Sequence, residues 1–259
     1  MFFNLNKKGV MSMTKFSWQV RLGIILVVFS IVVYAIKFLV LGDPENTYNY
    51  LFNAIGFLPI NVLLVTLVIN ELLSVRSKRE RLEKMNMVIG TFFSDVGTRI
   101  LAYISDSDQD LDRIRAHLIV SNAWSEEDFS MIRKDMGQYP FEASLTPDNL
   151  QEIAAFLHQN RNLLLRLLEN PVLLEHQDFT NLLRAVFHLN EELERRDALT
   201  DLPESDFSHL TGDVNRVYRL LSYEWLSYMR YLENNYPYLF SLAIRTNPFD
   251  QDASVIVTE

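Results

Sequence analysis

The sequence has no cysteine. Disulfides, thiol nucleophiles and cysteine-ligated zinc are therefore excluded. Glycine is scarce as well, with eight in 259 residues, and a phosphate-cradling glycine loop has little to be built from. The metalloprotease pattern H-E-x-x-H and the nucleophile elbow G-x-S-x-G do not occur. The distal chain offers no persuasive strand alternation, and no internal repeat or low-complexity tract is visible.

Positive charge is short in one region only. Residues 1–84 carry ten basic and five acidic groups, whereas residues 85–259 carry fourteen basic and twenty-eight acidic ones. So acidic a segment is a poor match for nucleic acid, whose phosphates must be neutralised by Lys and Arg. Anionic lipid repels it too, so the distal part is expected to stand off a membrane.

What the chain does have is apolar length. Residues 22–41 read LGIILVVFSIVVYAIKFLVL. Twenty residues at about 1.5 Å rise give a helix of about 30 Å, enough to span the hydrocarbon core. Lys37 lies near the far end, where its stem can reach the interface. A second run covers residues 50–73 and contains Pro59, Asn53, Asn61 and Asn70. A cleaved signal peptide is the rival reading of the first run, but the run is too long and no small-x-small pattern precedes GDPEN. Lys7, Lys8, Lys15 and Arg21 precede the first run, and Arg76, Lys78, Arg79, Arg81 and Lys84 follow the second. The connecting GDPENTYN has two acids and no base. The positive-inside rule then puts both termini in the cytoplasm of a prokaryotic inner membrane, with the second basic group at the membrane interface.

The burst of charge after Leu73 contains no turn residue. The second run is expected to continue as one helix through residues 74–104. Leu82, Met85, Ile89, Phe92, Val96, Ile100 and Ile104 recur at spacings of three and four and form an apolar stripe. It can dock on its own domain or form a coiled-coil seam with another copy, although the strict heptad lasts about two repeats before Arg99 falls on it. Gly90 and Gly97 lie on one side and allow close approach of another helix.

Beyond it, punctuation suggests helices. Ser125 and Asp128 make a capping box. Thr146–Pro147 opens a helix through Leu150, Ile153, Leu157, Leu164 and Leu168 that stops at Asn170–Pro171. Another runs from about Phe179 to Arg196, with Leu183, Val186, Phe187 and Leu193 inward. After the connector DALTDLPESD, Thr211 or Asp213 is expected to cap a long helix with Val217, Leu221, Trp225, Tyr228 and Leu232 on one face. Pro237 breaks it, and a short apolar helix ends at Pro248. This length of chain can bury its own core.

Three motifs invite chemistry. In SDSDQDLDR, Asp106, Asp108, Asp110 and Asp112 take the opening spacing of a calcium loop, but Leu111 stands where the turn needs Gly and His117 where it needs Glu. An acidic loop capping the next helix is the better reading. Asp206, His209 and Asp213 fall at i, i+3 and i+7, and His188 with Glu191 or Glu192 repeats the theme. A carboxylate–histidine metal site is conceivable, yet Gly212 interrupts the segment, and capping with surface hydrogen bonding is expected instead. The tyrosines Tyr223, Tyr231, Tyr236 and Tyr238 belong to a dense aromatic run, partly core and partly a surface for a partner.

DALTDLPE resembles the opening of GGDEF diguanylate cyclase domains, which implies a following α/β domain; only 55 residues remain after Glu204, and they lack the Gly-Gly-Asp/Glu-Glu-Phe turn. The block EWLSYMRYLENNYPYLFSLAIRTNPF, with DLPESDFSHLTGDVNRVYRLL before it, resembles the end of a family of uncharacterised prokaryotic two-span membrane proteins. That resemblance implies the architecture and no activity.

The expectation is an all-α protein: a two-helix transmembrane hairpin followed by a cytoplasmic helical bundle. It has an N-terminal segment 1–19, a hairpin 20–73 with spans near 22–41 and 50–73, an extension 74–104, an all-α domain 105–249 and a tail 250–259. The function expected is a membrane-anchored interaction or regulatory module without an evident catalytic site or cofactor. Its partners are the lipid bilayer and a protein or a second copy, with no nucleic acid. A two-span channel or transport subunit, resting on the three span asparagines, is the second reading, and a metal-dependent enzyme using Asp206, His209 and Asp213 is the third.

Overall fold

The computed structural model describes residues 18–173 and 176–257. The basic flank at Lys7, Lys8 and Lys15, with most of the N-terminal segment 1–19, lies outside the described residues, as does the extreme end of the tail. No strand occurs among the described residues. The chain divides after Ser74 into two compact units.

In the first unit, helix α1 spans Trp18–Leu41 and helix α2 starts at Pro44. The connection expected over 42–49 is in fact only Gly42 and Asp43. Gly42 takes φ +61°, the left-handed conformation that ends a helix at least cost in glycine. The Asp43 carboxylate accepts from the Asn46 backbone N–H at 3.1 Å, which caps α2. Pro44 follows at the first helical position, where its missing N–H is no loss. These three residues together end one helix and start the next. Both helices are long and apolar enough to cross a membrane, and none of the side chains in their apolar windows is buried. The Lys37 ammonium lies 4.6 Å from the centre of the Tyr50 ring.

Helix α2 runs unbroken over Pro44–Phe92, through Pro59 and through the charged stretch. Arg76 pairs with Glu80 at 2.9 Å and Arg79 with Glu83 at 3.0 Å, one turn apart. A π-helical turn, Phe93–Gly97, and α3, Thr98–Ser105, continue it. Met85, Ile89, Phe92, Val96, Ile100 and Ile104 are buried in the second unit's own core, and Leu82 alone of the stripe is exposed. The stripe therefore docks within its own chain.

The remaining helices are α4 Asp112–Leu118, α5 Glu126–Met136, α6 Pro147–Leu168, α7 Gln177–Glu194, α8 Glu204–Asn235 and α9 Pro237–Arg245. Ser125 and Thr146 each form a capping box, with Asp128 and Asn149. Helix α8 is the centre of the bundle and packs on α3, α5, α7 and α9. Its start differs from expectation: it begins at Glu204, after Pro203, and passes through Gly212 without interruption. Thr211 and Asp213 are thus interior positions. The Thr211 hydroxyl is turned back onto the Phe207 carbonyl at 2.9 Å, and Asp213 is buried.

The acidic loop has a structural role. Asp108 accepts hydrogen bonds from the hydroxyls of Tyr139 at 2.6 Å and Tyr218 at 3.0 Å, while its other oxygen accepts from the Asp110 N–H. Burial, with the Asp108 charge beside them, pushes both phenols far above their ordinary pKa. The residues before the tail are held as well: Asn247 donates to the Leu118 carbonyl at 2.9 Å, and Phe249 packs edge-on against Trp225.

Candidate functional site

Two places on the second unit gather chemistry-bearing side chains. The first is a groove of about 420 Å³ between the end of α2, the C-terminal part of α8 and α9. Asn86, Met87, Gly90, Tyr228, Tyr231, Tyr236, Tyr238 and Leu239 line it. The geometry follows from two local features. Gly90 lacks a Cβ, and one placed there would stand 3.1 Å from the Tyr228 hydroxyl. This close approach lets the Tyr228 ring stack on Phe93 at 5.1 Å. Pro237 starts α9 directly after α8, which places Tyr231, Tyr236 and Tyr238 in a row with ring separations of 5.8 and 6.3 Å. Burial, then a hydrogen bond with Tyr236, pushes the Tyr231 phenol up to about 12. Met87 and Tyr238 are each 71% exposed, so the groove has an open apolar lip.

Of the four tyrosines singled out in the sequence, three meet here and Tyr223 does not. Tyr223 lies under the Arg133 guanidinium, 5.2 Å from its ring centre, and beside Phe141. Tyr228 and Gly90 belong to the groove although sequence reading assigned them to the core face of a helix and to helix packing, and Met87, which it did not single out, joins them. The basic residues Arg76, Lys78, Arg79, Arg81 and Lys84 are exposed on α2. Asn53, Asn61 and Asn70 are exposed in the first unit.

The second place lies on the α7–α8 seam. Asp206 is taken out of the candidate trio by Arg196, which grips it with two hydrogen bonds of 2.7 and 2.6 Å and also donates to Glu192 at 2.9 Å. That guanidinium holds the carboxyls of both Asp206 and Glu192 below the usual range. His209 and Asp213 stay together, one turn apart, with Nε2 3.5 Å from Oδ2. The pair joining them is His188 and Glu192 from α7: His188 Nε2 is 3.6 Å from the same Oδ2. Neither histidine makes a hydrogen bond to that oxygen, which is buried and without a hydrogen-bond partner. Asp213 Oδ1 is taken by Arg216 at 3.0 Å. No nucleophile with an adjacent base is arranged at either place.

A family model described as the C-terminal helical domain of the uncharacterized protein MJ1433 matches residues 81–245. A second, described as the MJ1433 N-terminal helical domain, matches residues 13–73. The chain belongs to the MJ1433 family. The uncharacterized protein MJ1433 of Methanocaldococcus jannaschii is 43% identical over 242 residues, which cover 93% of this chain and 97% of that one. No solved structure matches. Membership supplies no activity, because the relative is itself described as uncharacterized. Both the groove and the seam cluster fall within the part matched by the MJ1433 C-terminal domain.

Proposed function

We propose that this member of the MJ1433 family is a membrane-anchored helical interaction module. Its hairpin crosses a prokaryotic inner membrane, both termini face the cytoplasm, and the bundle captures a protein partner in the tyrosine-lined groove. The observation that carries the reading is the contrast in burial. No side chain in the apolar windows of the first unit is buried, an arrangement that water disfavours at about 25 cal/mol per Å² of apolar surface. A bilayer removes that cost. The exposed basic residues after Leu73 then lie at the cytoplasmic interface.

The occupant of the groove is a helical segment of another protein with an apolar anchor and basic flanks. The apolar lip at Met87 and Tyr238 takes the anchor. Asp95 on the lining supplies negative charge, in a region with twice as many acidic as basic residues. Tyrosine phenols offer large rigid contact surfaces with a hydrogen-bonding tip.

Reporter fusions ending after Lys15, Asn46 and Lys84 test the anchor and are expected to read inside, outside and inside. An outside signal after Lys84 overturns the topology. A photo-crosslinker at Met87 in native membranes tests the groove. Capture of one discrete protein, lost in Tyr238→Asp and weakened by raised salt, supports it; capture of lipid only, or of a second copy of this chain, overturns the partner assignment.

A further inference from the structure

We infer that the α7–α8 seam is a binding site for a borderline-soft divalent cation of the zinc type, with His188, His209 and Asp213 as ligands and Glu192 as the fourth. The argument starts from spacing. His188 and Glu192 are one turn apart on α7, and His209 and Asp213 are one turn apart on α8. Each pair projects from one face of its helix, and the two helices pack against each other. Four side chains thus face one another in a ring, Glu192 turning Oε1 to His188 and Oε2 to His209. Its sides are 3.6 Å from His188 to Asp213, 3.5 Å from Asp213 to His209, 3.9 Å from His209 to Glu192 and 3.9 Å from Glu192 to His188.

A tetrahedral zinc with ligands at about 2.0–2.1 Å has edges of about 3.3–3.4 Å. The ring is a few tenths of an ångström wider, and among the described residues no group of three such side chains is already closed into a metal-holding arrangement. Contraction is available, because His188 and His209 are about half exposed, at 46% and 54%.

A second observation is independent of the spacing. Asp213 is only 4% exposed, and its Oδ2, which faces both imidazoles, is buried without a hydrogen bond. An unmet buried carboxylate oxygen is destabilising, more so when charged, and a cation bound there would meet it. Arg216 occupies Oδ1 and leaves Oδ2 for the cation. Arg196 fixes Glu192 through Oε2. Hydrogen-bonded carboxylates of this kind are how metal ligands are oriented from behind. The balance of charge agrees: Glu192, Asp206 and Asp213 face two guanidiniums, so the carboxylates exceed them by one negative charge. Two imidazole and two carboxylate donors suit Zn²⁺ better than Ca²⁺ or Mg²⁺, which take oxygen. A bound ion would tie α7 to α8 and couple metal supply to the stability of the bundle.

The test uses the full chain in detergent micelles, stripped with a chelator and titrated with Zn²⁺ by calorimetry. One ion per chain is expected, at micromolar affinity or tighter, together with a zinc-dependent rise in melting temperature. Co²⁺ should give the visible absorption of a four-coordinate site. His188→Gln and His209→Gln should each weaken binding about tenfold or more, while His117→Gln leaves it unchanged. The helical circular dichroism of each apo variant checks its fold, and the wild-type cobalt spectrum stands whatever the variants do. Absence of saturable Zn²⁺ binding in the wild type overturns the site. So does equal binding in the His188→Gln/His209→Gln double variant, or preference for Ca²⁺.

Discussion

Helix α2 uses the same kinds of side chain in two opposite ways. Over its first thirty residues or so, Leu, Ile, Val and Phe occur on every face and all are exposed. Near its C-terminal end they narrow to Met85, Ile89 and Phe92, which are buried, while Arg79, Lys84 and Met87 stay outside. Composition alone does not separate these fates. Distribution around the axis does: a helix that is apolar all round asks for an apolar solvent, whereas one with a stripe supplies one wall of a core.

The largest expected effect sharpens this contrast. Phe92 is fully buried between Phe93 and Phe179, with ring centres at 5.3 Å from each. Phe92→Ala is expected to cost about 3–5 kcal/mol, seen as a lower melting temperature of residues 75–259, which should express alone as a soluble helical protein. Phe29→Ala, in the exposed window of α1, should leave the melting of the bundle in the full chain unchanged. If both variants shift it equally, the contrast fails.

The next largest effect acts on the other side. Leu63→Arg places a charge in the exposed apolar window, at a cost of about 3 kcal/mol for a mid-bilayer position. Membrane fractionation should show less inserted protein, whereas the bundle should melt as before. Unchanged insertion would argue that α2 does not cross a bilayer.

A pH effect of similar size belongs to the bundle alone. Burial pushes the Glu224 carboxyl up to about 7, helped by the Asp178 charge and opposed by Arg133. The folded state therefore keeps a proton that the unfolded state releases above an ordinary value of 4.5. Stability from this group is intact below about pH 4.5 and declines as pH rises to about 7. Glu224→Gln should stabilise the bundle by about 3 kcal/mol at pH 8 and by nothing at pH 4.5, as read from melting at the two pH values. Equal gains at both would assign the effect to packing.

The smallest effect tests continuity. Glu80→Gly with Arg81→Gly should cost about 2 kcal/mol of local helix stability, because both positions are exposed interior positions of α2. Hydrogen exchange of amides 76–84 should accelerate, with little change in global melting.

What sequence made readable was local. Ser125 and Thr146 announce helix starts because the capping bond spans three residues, and Pro237 announces a break for steric reasons. The start of α8 was not readable, since Pro203 offers no side-chain cap and Gly212 mimics a stop that burial of the surrounding face overrides. The connection between α1 and α2 was read too long, because Asp43 and Pro44 act on neighbours that also look like loop. At the candidate sites the limit was distance along the chain. Asp108 meets Tyr139 and Tyr218 from 31 and 110 residues away. His188 meets Asp213 only once α7 and α8 are packed side by side, and Arg196 removes Asp206 from a trio that spacing alone had placed together. The tyrosine groove depends on Gly90 standing beside Tyr228, a pairing that periodicity cannot register.

The turn at Gly42 and Asp43 has a consequence for how such a molecule could receive information. If the hairpin crosses a bilayer, the turn and the polar first residues of α2, 42–49, are nearly all that it presents on the far side. A pocket for even a small ligand needs several hundred cubic ångströms and walls from several elements, and one turn with a short polar helix start supplies neither. On that topology the hairpin has little with which to hold a soluble messenger outside the cell. A stimulus would then arrive through the lipid, through a neighbouring membrane helix, or by way of the bundle.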